Sequence, residues 1–322
     1  MSKTISEPSR TSSTLPVAIR GVVHQVPQTR LPPGSCDCHT HVFGPAQPYP
    51  YAADRQYTPG VATLDDMLRL HHLLGIERVV IVQPSPYGSD NRCTVDALKA
   101  LGNRGRGVSV IDTETTDAEL QAMHDAGVRG VRINLETGGI HDPVFASRQL
   151  LWAQERVKDM GWHLQLFTNL TVFASLDQAL DQLHVPVVLD HFCWAQAASG
   201  PAQANFDALL RRVRSGQAWV KLSAPHRISS APDCADAAAI AHVLIEANPE
   251  RMLWGSDWPH PGAAPGQVRQ RDVVEAFNPI DDGRAINRLV SWVQSPATLA
   301  KILVGNPAKL YGFSGPTHEQ HD

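Results

Sequence analysis

Eight alternations of a short apolar, β-branched run with a helical segment predict an α/β protein of the (β/α)8 TIM-barrel class. Two further observations agree. No GxGxxG or P-loop follows an early strand, which argues against an open doubly wound sheet. Polar residues collect at the ends of the predicted strands, where a barrel enzyme keeps its chemistry. The 322 residues fit one domain over 34–314, an N-terminal extension over 1–33 and a tail over 315–322.

The extension is rich in Ser, Thr and Pro and lacks the apolar stretch of a secretory signal. It reads as a flexible, partly disordered arm whose residues 21–26 lie along the barrel surface. The first strand, 35–42, holds Asp37, His39 and His41. Period two puts these three on one face and Cys36, Cys38 and Thr40 on the other. A Pro- and Tyr-rich loop, 43–62, is long enough to wall the barrel mouth. Thr63 caps a helix over 64–74, whose apolar spacing runs Leu64, Met67, Leu68, Leu70, and Gly75 stops it.

A buried strand over 78–83 leads into an exit loop, 84–88, with Ser85 and Tyr87. A helix over 94–101 and a third strand over 107–112 follow. Asp117 caps a helix over 118–126 that Gly127 ends. The fourth strand is 128–135, followed by a helix over 150–160 and the fifth strand over 162–167. A helix over 173–183 precedes the sixth strand, 185–192. A helix over 206–214, the seventh strand over 218–223, a helix over 235–246 and the eighth strand over 251–255 complete the rhythm. Helices over 283–293 and 298–304 close the chain. The polar tail reads as mobile, and its His318 and His321 as part of that tail rather than as metal ligands.

Composition excludes several classes. Net charge is −4 with no basic stripe, which argues against a nucleic-acid partner. No apolar run approaches the roughly 20 residues that span a bilayer. Five cysteines without regular spacing suggest reduced thiols and a cytoplasmic protein. Cys36 and Cys38, opposite the histidines, are expected to pack against the surrounding helices. A homo-oligomer stays open.

The strand-end groups are His39, His41, Ser85, Arg132, Gln165, His191, Lys221, Arg227 and Asp257. A lone strand histidine is more often structural, but three at separate strand ends, with an aspartate at the last, are expected to share one mouth. His39 and His41 can reach a common point that holds a metal ion or a polarised oxygen. Asp257 is the candidate general base, although Gly-Ser-Asp-Trp-Pro also reads as a turn that Asp257 caps. Arg132 and Arg227 suit an anionic substrate, since guanidinium grips carboxylate or sulfonate in a planar fork. Arg129 points to the opposite face from Arg132. Lys221 is a further cation or the partner of a carboxylate. Trp258 is expected as a wall, and His260 as a supporting or surface residue.

Asp-x-His-x-His on the first strand, His191 ending the sixth and Gly255-Ser256-Asp257-Trp258-Pro259 after the eighth resemble the amidohydrolase superfamily, in its amidohydrolase 2 branch. The likeness extends over 34–314. Residues 37–45, Gln83-Pro84-Ser85, Gly130-Val131-Arg132, the run from Lys221 to Arg227 and that from Asn306 to Tyr311 are similar to 2-pyrone-4,6-dicarboxylate lactonases and related lactone hydrolases. The resemblance implies a hydrolase of a small anionic lactone, of the kind used in aromatic-compound catabolism. Asp257 would activate water. His39, His41 and His191 would polarise the carbonyl, directly or through one divalent ion such as Zn2+ held by His39, His41 and Asp257 with His191. Ser85, Tyr87, Arg132, Gln165 and Arg227 would hold the substrate.

Two departures matter. Gln165 stands where many relatives have a metal-ligand histidine, and no lysine ends the fourth strand. The site is therefore mononuclear at most, and metal-independent activity stays open. Residues 134–140 also lack the further arginine that the dicarboxylate lactonases carry beyond the one matching Arg132. That points to one fewer anionic group or a different grip, as in a muconolactone, a sulfonated muconolactone or a sugar-acid lactone. The rivals are a metal-dependent decarboxylase, a lactone isomerase and a non-catalytic acid-binding barrel.

Overall fold

The computed structural model describes residues 17–262 and 269–314. The expectations for residues 1–16 and for the tail with His318 and His321 fall outside them. Eight parallel strands form one sheet in chain order: β1 (Cys36–Thr40), β2 (Arg78–Val82), β3 (Gly105–Ser109), β4 (Val128–Asn134), β5 (His163–Phe167), β6 (Val187–Leu189), β7 (Ala218–Ser223) and β8 (Met252–Gly255). Closure comes just past β8. Asp257 N donates to His39 O at 2.8 Å, and His41 N donates to Trp258 O at 2.8 Å. Gly255 permits this approach, because a Cβ there would lie 2.7 Å from the His39 nitrogen. The sheet is thus a barrel whose last turn is zipped to its first strand at the level of the histidines.

Packing follows the β-strand alternation. One side of the strands, including Ile81, Val131, Leu164, Leu166, Val220 and Leu222, packs in the larger apolar core. The other side, with Val80, Val82, Val108, Val188, Trp219 and Leu253, forms a second cluster plugged by Tyr311 and Phe313. Cys36 and Cys38 belong to this second cluster and not to the helix-facing layer, which corrects the expectation for them. The cause is a break in register between Asp37 and Thr40, where β1 uses one more residue than β2. The extra residue breaks period two. His39 and His41 face the barrel interior, while Asp37 turns away and meets His71 at 3.3 Å. His71 lies on α1 (Leu64–Leu74). Asp37 therefore does not share the histidines' face.

Several boundaries move for local reasons. Thr63 caps α1 as expected, with a reciprocal bond from Asp66. The next helices are α2 (Arg92–Leu101) and α3 (Asp117–Asp125). Thr116, not Asp117, caps α3, because Glu119 stands three residues on and completes the same box. The helix α4 (Pro143–Val157) starts seven residues before its expected start at 150, with Asp142 as cap and Pro143 in the first turn. β6 stops at Leu189 instead of running to 192. Residues 191–194 all take positive φ, from 48° to 58°, and turn His191 inward. The chain ahead of the barrel forms a hairpin (Val17–Ile19 with Val22–His24). It leans on α9 (Asp282–Trp292), which follows α5 (Leu170–Ser175), α6 (Asp177–Leu180), α7 (Phe206–Arg214) and α8 (Ala237–Ala247), and there Asp282 N donates to His24 Nδ1 at 3.2 Å. Among the described residues no helix is long and apolar enough to cross a membrane.

Candidate active site

Asp257 stands where the eighth strand gives way to its loop, with φ of 69° and no exposed surface. Positive φ is costly for a residue with a Cβ and is characteristic of functional positions. The two carboxylate oxygens meet different partners. Oδ2 accepts from Arg227 Nε at 3.0 Å and Nη2 at 2.8 Å. Oδ1 lies 3.5 Å from His39 Nε2, 3.5 Å from His41 Nε2 and 3.7 Å from His191 Nε2. Three imidazoles from β1 and the end of β6 thus meet one carboxylate oxygen, as the strand-end argument expected.

Each imidazole is held by its other nitrogen. His41 Nδ1 donates to Val82 O at 2.8 Å, and its Nε2 faces Asp257. His191 Nδ1 sits 2.8 Å from Ser223 Oγ. His39 Nδ1 sits 3.1 Å from Asp190 Oδ1 and 3.2 Å from Lys221 Nζ. Burial drives the His39 pKa down to about 4 against the pull of Asp190, so the ring is neutral near pH 7. Burial opposes ionisation of Asp257, but Arg227 and then His191 outweigh it and hold the carboxyl well below its ordinary range.

Beneath the imidazoles lies a charged floor centred on Asp190. Its Oδ2 accepts from Gln165 Nε2 at 3.1 Å and from Arg132, whose Nε and Nη2 are both 3.3 Å away. Lys221 Nζ is 3.4 Å from Oδ1 and donates to Gln165 Oε1 at 2.6 Å. Asp190 and Lys221 are both fully buried. Burial alone would raise the Asp190 pKa, yet His39 and Lys221 bring it well below its usual value. Sequence reasoning did not single out Asp190. The only signal was a carboxylate closing an apolar run in Leu189-Asp190-His191. Lys221 takes the second of its two expected roles, as a carboxylate partner.

The remaining sequence candidates separate. Ser85 and Arg132 line a cavity of about 330 Å3 over β2 to β4. Arg132 also lies 5.2 Å above the Phe167 ring. Gln165 is fully engaged with Asp190 and Lys221. Tyr87 is turned into aromatic packing with Phe43 and Tyr51, its hydroxyl 3.4 Å from Gly44 O. Tyr57, not singled out before, is buried beside Ser85 and Arg227, under the Arg269 guanidinium. Arg129 bonds His124 O, away from the site. Trp258 is a buried wall. His260 is buried too and faces Asp282 Oδ2 at 3.1 Å, not solvent. A second cavity, of about 440 Å3, lies by Trp219 and Lys309, off the start of β7 and away from the imidazoles.

The donor set fits one divalent cation. Asp257 Oδ1 and His39 Nε2 are buried polar atoms without a hydrogen-bond partner. Ligand atoms of His39, His41 and Asp257 all lie within 4.8 Å of one another, and separations near 3.5 Å suit atoms sharing a tetrahedral ion. The outer contacts of the three rings are those that orient histidine ligands.

Comparison with known proteins shows the family. The family model described as Amidohydrolase matches residues 36–313. A 2-pyrone-4,6-dicarboxylate hydrolase of Comamonas testosteroni is 34% identical over 296 residues, covering 88% of this chain and 92% of the relative. A 4-sulfomuconolactone hydrolase of Hydrogenophaga intermedia is 35% identical over 286 residues, covering 88% and 90%. A solved structure from Pseudomonas putida, described as a candidate 2-pyrone-4,6-dicarboxylic acid hydrolase, superposes with a TM-score of 0.74 at 30% identity, covering 88% of this chain and 99% of that one.

Proposed function

This chain belongs to the amidohydrolase family, and on that premise we propose that it opens the ester ring of a small anionic lactone by hydrolysis. One observation carries the reading. A single buried carboxylate has one oxygen clamped by Arg227 and the other facing three imidazoles, and Asp190, which holds His39, also pairs with Arg132 on the wall of a cavity.

The chain's own groups supply the steps. Arg227 fixes Asp257 and keeps it ionised, so Oδ1 is an open acceptor for a water proton. The hydroxide attacks the ester carbonyl. Collapse of the tetrahedral adduct expels the ring oxygen, and the proton on Asp257 passes to that oxygen. Arg132 and Ser85 hold the substrate's anionic group, which fixes the ring over the histidines. Buried surroundings strengthen each of these contacts.

His41 bears on the cofactor. With a single proton, on Nδ1, the ring presents an Nε2 lone pair instead of a donor to a developing oxyanion. That lone pair suits a cation, and His39, His41 and Asp257, with His191, would hold one divalent ion such as Zn2+. When bound, the ion would polarise the ester carbonyl and lower the pKa of a water molecule. All five cysteines are free and buried, which supports a cytoplasmic location.

A pH-indicator screen of aromatic-catabolic and sugar-acid lactones, with and without chelator, tests the proposal. Acid release from an anionic lactone is the expected result, lost on chelation and restored by Zn2+. A change of ring size without acid would instead identify an isomerase, and CO2 from an unsaturated acid a decarboxylase. Full activity in chelator would leave the protein a lactonase and remove the metal.

A further inference from the structure

We propose that Arg55, on the loop between β1 and α1, is the second anion anchor of this site and selects lactones that carry an oxyacid group on a side arm. The inference rests on the lactonase reading and deepens it. Residues 134–140 supply no cation beyond Arg132. The 330 Å3 cavity supplies one from the other side. It is bounded by Arg132 and Ser85 at the barrel and by Arg55 and the adjacent Asp54 on the loop, with Ile140 and Trp152 among its apolar lining.

The two arginines differ in what they have left to offer. Arg132 is already paired with Asp190 at 3.3 Å. Arg55 has no carboxylate partner within ion-pair distance among the described residues. Its Nε donates to Thr58 Oγ1 at 2.7 Å, one Nη1 proton to Ala52 O at 3.1 Å and one Nη2 proton to Arg271 O at 3.4 Å. These neutral acceptors orient the guanidinium without cancelling its charge. A guanidinium has five N–H groups and three are used here, so two stay free, one on each terminal nitrogen. Free guanidinium N–H groups of this kind are what arginine offers to a carboxylate or sulfonate. The side chain is half-buried and fixed before any ligand arrives, which lowers the ordering cost of binding. The apolar lining suits a hydrocarbon arm between the ring and its acid group.

The test compares three lactones of one ring: one with a carboxymethyl arm, one with a sulfonate, and the methyl ester of the first. The readout is kcat/KM for each anion divided by that for the ester, in the wild-type chain, Arg55→Gln and Arg55→Lys, with folding followed by circular dichroism. Arg55→Gln is expected to lower the ratio by about ten- to a hundredfold, mainly through KM, and Arg55→Lys to restore most of it. The anion with the larger wild-type ratio identifies the preferred oxyacid. An unchanged ratio in Arg55→Gln overturns the anchor while leaving the lactonase reading intact. A lysine variant as impaired as the glutamine variant also overturns it, since loop order rather than charge would then be responsible. Hydrolysis of none of the three, or of other lactones, by the wild-type chain overturns the lactonase reading and the anchor with it.

Discussion

Asp190 shows how one carboxylate can organise a polar floor inside a barrel. It sits without exposed surface among Lys221, Arg132, Gln165 and His39. Removing its charge leaves Lys221 and Arg132 buried without their counter-ion. Breaking a buried pair in this way typically costs about 3–5 kcal/mol. Asp190→Asn is therefore expected to lower the urea midpoint by a corresponding amount at pH 7, and a midpoint equal to the wild-type value would show that the floor is not held by charge. Residues of this kind were hard to read in advance. His39, His41, His191 and Asp257 stood out because they cluster at the ends of predicted strands, in a pattern a barrel brings together. Asp190 is hidden by its neighbour His191, and its importance depends on partners from four other strands. Gln165 and Tyr87 sit near the mouth as expected, yet their polar atoms are claimed by Asp190 and Lys221 in one case and Gly44 in the other.

At the scale of elements, the closure of the barrel depends on a missing side chain. A Cβ on Gly255 would lie 2.5 Å from the His39 Cβ, against the strand that carries two of the imidazoles. Overpacking of this kind costs about 1–3 kcal/mol. Gly255→Ala is expected to destabilise the fold by that order in urea and to reduce lactone turnover more than tenfold. Wild-type kinetics in this variant would mean that the β8–β1 seam does not set the site. The N-terminal hairpin offers a parallel case. A Cβ on Gly283 would lie 1.9 Å from Gln25 O, so Gly283→Ala is expected to lift the hairpin from α9. Limited proteolysis between residues 19 and 33 should become faster, and unchanged protection would show that the hairpin is held elsewhere. The sequence could not reveal these seams. Strict period two on β1 placed Asp37 beside the histidines, whereas the register break turns it outward. A bulge is decided by pairing with β2 and β8, and no local pattern records it.

The barrel as a whole was legible because the rhythm of β-branched runs and helical spacing repeats eight times and few architectures accept that order. Its electrostatics follow from how deeply it buries titratable groups. Burial, helped by Lys221, holds His163 at a pKa of about 3, and burial, helped by Arg227, holds His226 at about 3. Both are neutral in the folded chain near pH 6, while unfolded histidine titrates near 6.5. Below that value the unfolded state takes up protons that the folded state refuses, so stability falls as pH falls. Asp190 and Asp257, with depressed folded pKa values, add a further loss below about pH 4. His260 acts in the opposite sense. Burial lowers its pKa but Asp282 outweighs that and raises it, so its contribution is complete below about 6.5 and fades as pH rises through the raised value. With His24, His39, His124, His163, His191 and His226 all depressed against His260 raised, Tm is expected to drop from pH 7 to pH 5. A flat or rising profile would contradict the neutral, buried state of His163 and His226.

The central claim is that Asp257, clamped by Arg227 and facing three imidazoles, delivers water to a lactone carbonyl. A pH-stat assay of wild-type chain and Asp257→Asn on the best lactone from the screen tests it most directly. The wild-type chain is expected to release acid steadily and the variant at a rate at least a thousandfold lower (about 4 kcal/mol of barrier), with near-native circular dichroism. Acid release by Asp257→Asn at the wild-type rate would contradict it.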